Sequence, residues 1–305
     1  MKIYDRIGDF EKTGRESHVA LGFFDGVHLG HQAVLNECAA DKGGCQAVAL
    51  TFGESPARLL GKTDVGLITD NAEKARLMEA SGIDAVIFTD FMSIRDMDAE
   101  AFIERVLHQK LRAKKVSCGY NYRFGKNGAG DTALLQEKCA ALGIAVSVAE
   151  PVDIDGRAVS STAVRELLQG GDIEGASRML GRAYAVSGKI GAGNHLGSGM
   201  GFPTVNLPFG QGKVVPKYGV YASRVTVGGK TFRGATNIGV HPTVGENDAP
   251  VCETFLLDYD GGDIYGEDAV CTLVRFIREE RRFISTAQLT AQVGRDIERI
   301  REILA

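Results

Sequence analysis

The sequence predicts an α/β domain on an open, doubly wound parallel sheet, followed by a small antiparallel β-barrel that ends in one helix. Short apolar runs at residues 18–24, 46–52, 84–89, 115–119 and 144–149 alternate with helical patterns. Strand, helix, strand units of this size pair in parallel and are covered on both faces. Past about residue 184 the helical patterns stop, and β-rich runs at 186–190, 204–207, 220–227, 231–238, 254–258 and 269–277 follow one another between glycines, the pattern of a small barrel.

Each element has its own local reason. Asp131 suits the N-cap of a helix over 131–142, Leu134, Leu135, Cys139 and Leu142 share one face, and Gly143 ends it. Gly228-Gly229 between two β-rich runs marks a hairpin. Ser285 with Gln288 forms a capping box, and Leu289, Val293, Ile297, Ile300 and Leu304 make the apolar stripe of a last helix. Between the halves lies 161–180, with glycines at 170, 171 and 175. The change of periodicity sets the boundary near Gly181, giving domains 1–180 and 181–305, each long enough to bury its own core.

Composition narrows the function. Hydrophobic residues at 44% and charged residues at 24% are those of a globular chain. A net charge of -4 leaves no basic surplus for a nucleic-acid backbone, so no nucleic-acid partner is expected and any nucleotide bound is small. No apolar run approaches a membrane span, and Asp5 and Asp9 interrupt what would be a signal segment, so a cytoplasmic enzyme without a membrane partner is expected. The six cysteines show no CxxC or CxxH spacing and read as free thiols. Oligomeric state leaves no mark in the sequence.

The strongest local signal is Leu21-Gly22-Phe23-Phe24-Asp25-Gly26-Val27-His28-Leu29-Gly30-His31-Gln32, between the first strand and first helix of the alternating half. Open α/β sheets bind ligands there, beyond the carboxyl ends of their strands. Gly22, Gly26 and Gly30 permit close backbone approach, and a helix N-terminus offers free amides to an anion. His28 and His31, three apart, point the same way and can donate together to phosphate oxygens. A metal pair is the alternative, but no third His or Cys lies nearby in sequence.

This motif resembles the nucleotidylyltransferase signature in the form used by bacterial bifunctional riboflavin kinase/FAD synthetases. Gly119-Tyr120-Asn121-Tyr122-Arg123-Phe124-Gly125 and Val159-Ser160-Ser161-Thr162-Ala163-Val164-Arg165 resemble two further segments of that family. The resemblance implies a Rossmann-like FMN adenylyltransferase domain in which His28 and His31 contact ATP phosphates. It also implies that Gly22, Phe24, Asp25, Gly26, Gly30 and Asn121 hold nucleotide, and that Ser161, Thr162 and Arg165 stabilise the triphosphate. The chemistry suits these residues: the phosphate of FMN is itself the nucleophile at the α-phosphorus of ATP, so positioning and charge neutralisation suffice without a strong base.

In the second half, the glycine-dense run 188–201 leads into Phe202-Pro203-Thr204-Val205-Asn206-Leu207. Amides exposed at Gly188 and Gly201 can wrap phosphates, and Thr204 and Asn206, two apart on a strand, can share a hard Mg2+ ion. A flexible loop before an edge strand is the plainer alternative. G-F-P-T-x-N resembles the riboflavin kinase hallmark, as do Gly219-Val220-Tyr221, Asn237-Ile238-Gly239 before Pro242-Thr243, Glu253-Thr254, and Asp263-Ile264-Tyr265-Gly266. This implies that Thr204 and Asn206 handle Mg-ATP and that Glu253 is the base for the ribityl hydroxyl. A hydroxyl needs one, because it loses a proton as it attacks the γ-phosphate.

The expected ligands are thus riboflavin, FMN, FAD and ATP, with Mg2+. The chain departs from the family pattern at Phe52-Gly53-Glu54-Ser55-Pro56, where F-D-P-H-P is usual, and at Ser198, where an arginine is usual. Two other readings stay open: adenylyl transfer to a different phosphorylated acceptor, and a flavin-binding regulator without turnover.

Overall fold

The stretch Ser17–Leu21 is buried at every position, as a parallel strand covered on both faces must be. In a computed structural model, which describes the chain except for residues 41, 62–65, 192–203, 211, 241–248, 260 and 263, this strand is central in the first of two compact units, Met1–Ser161 and Thr162–Ala305. The first unit runs β1 (Lys2–Tyr4), α1 (Ile7–Glu11), β2 (Ser17–Leu21), α2 (Leu29–Ala40), β3 (Gln46–Phe52), α3 (Pro56–Leu59), α4 (Asn71–Ala80) and β4 (Ala85–Thr89). It continues through α5 (Ala99–Ala101, extended by the wide turns of Phe102–Lys110), β5 (Ala113–Gly119), α6 (Thr132–Ala141), β6 (Ala145–Ala149) and a small ribbon of β7 (Asp153–Ile154) and β8 (Arg157–Ala158).

The main sheet has the order β1-β4-β3-β2-β5-β6 and is parallel throughout. From β2 the chain winds outward through β3 to β4, then returns to the other side of β2 as β5. The loops after β2 and β5 therefore diverge, and a crevice opens between them at the carboxyl ends. One apolar cluster contains Phe10, Phe102, Leu107 and Leu135, and a second contains Leu35, Cys38, Met78 and Ile83. Burying each such side chain contributes about 1.5–3 kcal/mol. Asp131 caps α6 by accepting from Leu134 N at 3.0 Å. Strand β1, three residues with two exposed, is too short and polar for its periodicity to show in the sequence. The run expected over 18–24 ends as a strand at Leu21, where the backbone turns.

Helix α7 (Ser161–Gly170) leads into the second unit, which contains α8 (Ile173–Leu180), β9 (Ala185–Lys189), β10 (Thr204–Pro208), β11 (Gly219–Val227), β12 (Lys230–Val240), β13 (Pro250–Leu256), β14 (Asp268–Arg278) and α9 (Thr286–Ile303). The sheet is antiparallel, in the order β10-β13-β12-β11-β14-β9. Gly191, just past β9, donates to the Asn206 carbonyl of β10 at 2.9 Å, and this bridge brings the two edges together into a barrel. Gly228 (φ 56) and Gly229 (φ 76) form the β11–β12 turn, both left-handed as a two-residue hairpin of this twist requires.

Helices α7 and α8, counted with the first domain when the boundary is drawn at Gly181, fall in the second unit. The buried face of α8, Ile173, Ala176, Met179 and Leu180, explains this. Glu174 takes Arg275 Nε of β14 at 2.8 Å, and Leu168 O accepts from Lys217 N at 2.9 Å. A fragment starting at 162 is therefore expected to melt on the order of 10 °C above one starting at 181, since several buried apolar side chains separate them. Thermal circular dichroism of the two checks this, and equal midpoints would mean that α7 and α8 add nothing.

Candidate active sites

A cleft of about 1060 Å³ occupies the crevice of the first unit. Gly22, Phe23 and Phe24 reach it from the end of β2, Gly119, Tyr120 and Asn121 from the end of β5, and His28, Gly30 and His31 from the start of α2. Ser160 and Ser161 close one side, and Phe52, Pro56, Leu60, Phe91 and Ile94 make another part apolar, beside Arg95 and Arg123. Thr162 and Arg165 follow on α7, in the second compact unit.

The turn from β2 to α2 is contorted: φ is positive at Phe24 (55), Gly26 (84) and Val27 (40), a region that side chains rarely enter. Asp25 holds it there. Its carboxylate is 1% exposed and accepts from Ile68 N at 3.0 Å and Thr69 N at 3.2 Å, while Gly26 N donates to Thr69 Oγ1 at 3.0 Å. Asp25 and Gly26, expected among the nucleotide contacts, do not line the cleft. The carboxylate is occupied by amides of the 68–69 segment, and a Cβ on Gly26 would stand 2.9 Å from Ile68 Cδ1. Gly22 and Gly30 make room for rings, since a Cβ would come within 2.9 Å of the Phe24 ring and 3.3 Å of the His28 ring. Ser161 Oγ donates to Asp25 O at 2.8 Å, tying the end of the unit to the same turn.

His28 and His31 stack with centroids 3.6 Å apart and planes at 17°. His28 Nδ1 accepts from His31 N at 3.3 Å, capping the first turn of α2 and leaving the proton of a neutral imidazole on Nε2. His31 Nδ1 is buried without a hydrogen-bond partner. Burial first, then His28 and Lys74, hold the His31 ring well below the usual histidine pKa. His31 is thus neutral at physiological pH, and the close stack carries no like-charge repulsion.

The second unit holds a cavity of about 390 Å³ against α9. Across β10, β13 and β12, Asn206 pairs with Glu253 and Glu253 with Asn237, while Thr204 pairs with Phe255 and Phe255 with Ala235. Direct partners share a face, so a polar row lies beside an apolar one. Thr204, Glu253, Asn237 and Phe255 line the cavity, and Val220, Phe283, Leu289, Val293 and Ile297 supply its apolar wall. Asn206 Nδ2 donates to Thr204 Oγ1 at 3.4 Å, so the two sit side by side, though Asn206 itself is buried and off the cavity wall. Gly188 lies on β9 opposite Ala269, also off the wall. Gly201, Pro242, Thr243 and Asp263 lie outside the described residues.

The lining groups Arg278, Glu280 and Asp296 are absent from the sequence reading. Arg278 Nε meets Asp296 Oδ2 at 2.9 Å, Gln292 Nε2 donates to Asp296 Oδ1 at 2.8 Å, and Asn237 Nδ2 donates to Glu280 Oε1 at 3.1 Å. The available signal was Asp296, a charge between the apolar positions Val293 and Ile297 of α9.

A strand-to-helix turn carrying a stacked imidazole pair at a cleft in one unit, and a carboxylate beside an apolar slot in the other, suit group transfer from a nucleotide at two places. The chain is in this respect a two-domain transferase. Residues 10–163 match the FAD synthetase family and residues 180–304 the riboflavin kinase family. The bifunctional riboflavin kinase/FMN adenylyltransferase of Listeria monocytogenes is 33% identical over 97% of this chain and 95% of its own, and that of Escherichia coli K12 is 34% identical over 97% and 96%. The chain belongs to the bifunctional riboflavin kinase/FMN adenylyltransferase family. A crystal structure of a macrolide-efflux protein from Streptococcus pneumoniae has the same fold, with a TM-score of 0.87 over 98% of each chain at 28% identity. Among the described residues here, no helix is long and apolar enough to cross a membrane.

Proposed function

We propose that this chain phosphorylates riboflavin to FMN in its second unit and adenylylates FMN to FAD in its first, drawing both groups from Mg-ATP. The observation that carries this reading is the division of sites: the unit with the base-like carboxylate and the unit with the imidazole pair each match one of the two families. In adenylyl transfer the FMN phosphate attacks the α-phosphorus of ATP and pyrophosphate leaves. His28 and His31 donate to the phosphates, Gly22, Gly30, Asn121 and Ser161 shape the nucleotide end, and the resemblance of the 159–165 segment assigns Thr162 and Arg165 to the triphosphate. Phe24, Asp25 and Gly26 keep the turn in form, while Phe52, Leu60 and Phe91 take the flavin ring.

In phosphorylation Glu253 accepts the proton of the ribityl hydroxyl as its oxygen attacks the γ-phosphorus, and ADP leaves. The apolar wall takes the flavin ring. The glycine-dense run that Gly188 opens is assigned to the phosphates by its resemblance to the riboflavin kinase family, as is Gly201, which lies outside the described residues. Thr204 and Asn206 offer a hydroxyl and an amide oxygen, neutral hard donors that fit Mg2+ when phosphate oxygens complete its shell. Among the described residues no group of three or more His, Cys, Asp or Glu could hold a metal alone, so Thr204 and Asn206 would hold the ion together with the nucleotide's own phosphates. Bound Mg2+ supplies charge neutralisation to the phosphates. Excess chelator is accordingly expected to abolish both FMN and FAD formation, followed by chromatography of the flavins, and undiminished formation would overturn the metal assignment.

A further inference from the structure

Lys74, on α4, is 1% exposed, an unusual place for an ammonium group. Its Nζ lies 4.3 Å from the centroid of the Phe23 ring and 5.9 Å from that of Phe88, and donates to Phe52 O at 3.4 Å. Phe23 and Phe52 both line the cleft of the first unit. Among the described residues no carboxylate lies within ion-pairing distance of it. The titratable groups around it are Asp25 on the β2–α2 turn and Asp70 at the N-cap of α4, both carboxylates, and the neutral His31 on α2, which feels its field.

A cation stripped of water and left without a close counter-ion is costly to keep, so its position calls for a reason. The aromatic face of Phe23 and the Phe52 carbonyl are what offset that cost, and both belong to the wall of the substrate cleft. We propose that Lys74 is a positioning residue for adenylyl transfer: its buried ammonium fixes Phe23 and the Phe52 carbonyl at the cleft wall and places positive charge behind the site that receives anionic phosphates. This rests on the adenylyltransferase reading of the first unit. It divides the work between two kinds of group. The histidine pair donates directly, while the charge sits one layer back, where low dielectric preserves its reach.

The pH dependence follows from the same burial. Desolvation lowers the Lys74 pKa to about 8, with Asp25 and Asp70 pulling the other way. The charge is therefore present at neutral pH and is lost as pH rises through about 8. An arginine in its place keeps its charge throughout.

The test uses the full-length chain and measures kcat and KM for FAD formation from supplied FMN and ATP between about pH 6.5 and 9.5. Wild type, Lys74→Arg and Lys74→Met are compared, with circular dichroism as the control for folding and FMN formation from riboflavin followed in parallel as the activity of the other unit. In wild type kcat/KM is expected to fall above about pH 8, and in Lys74→Arg to persist to the top of the range. In Lys74→Met it is expected to be lower by on the order of tenfold at neutral pH and to lack the alkaline fall. A Lys74→Met variant that keeps wild-type kcat/KM, or loses it evenly while retaining the alkaline fall, would overturn the proposal in favour of a packing role. Should Lys74→Met not fold, the wild-type and Lys74→Arg profiles decide, and coincident curves overturn it. Wild type that makes FMN but no FAD removes the adenylyltransferase reading itself and the proposal with it.

Discussion

Glu253→Gln is expected to lower FMN formation from riboflavin by about 10²- to 10⁴-fold, the usual effect of losing a general base, while FAD formation from supplied FMN continues. Glu253 lies in the middle of β13, between Asn206 on β10 and Asn237 on β12. Glutamine preserves size and hydrogen bonding there but cannot accept a proton. The reaction in the first unit has no such need, because its nucleophile is already an anion. Both rates are measured on one preparation, after circular dichroism shows that the variant is folded. Loss of both activities together, or of neither, would end the assignment of Glu253 as base.

The reverse separation is expected for the double replacement of His28 and His31 with Ala. Removing one donor to a developing charge costs about 10²- to 10³-fold in rate, so FAD formation falls by at least that much while riboflavin is still phosphorylated. Alanine at 28 also removes the bond from His31 N that caps α2, a loss of about 0.5–2 kcal/mol. His28→Asn separates the two effects, since asparagine can cap without replacing the imidazole Nε2 donor. If His28→Asn makes FAD at the wild-type rate, the cap and not the donor is what matters at 28.

Legibility in the sequence followed distance along the chain. The β11–β12 hairpin, the Asp131 cap and the stripe of α9 are local patterns, and each reappears in the structure. The histidine pair was legible for the same reason: it sits three residues apart at a strand-to-helix junction. The run expected over 254–258 proved to be part of β13, Pro250–Leu256, whose opening proline disguised its first half. Groups that depend on distant partners were not legible. Asp25 meets Ile68 and Thr69 across more than forty residues, and no periodicity announces that pairing. Lys74 reads in sequence as an ordinary helical lysine, and only the sheet's winding brings it under Phe23.

The turn that Asp25 holds has a thermodynamic consequence. A loop that takes shape only around its ligand gives up conformational freedom at the moment of binding, and that loss is subtracted from affinity. Here the left-handed backbone at Phe24, Gly26 and Val27 is imposed by bonds within the protein, to the 68–69 segment and from Ser161. The ordering is completed during folding, so a nucleotide entering this end of the cleft meets a mould already set, and the entropy of shaping it is charged to the stability of the unit instead of to the binding step.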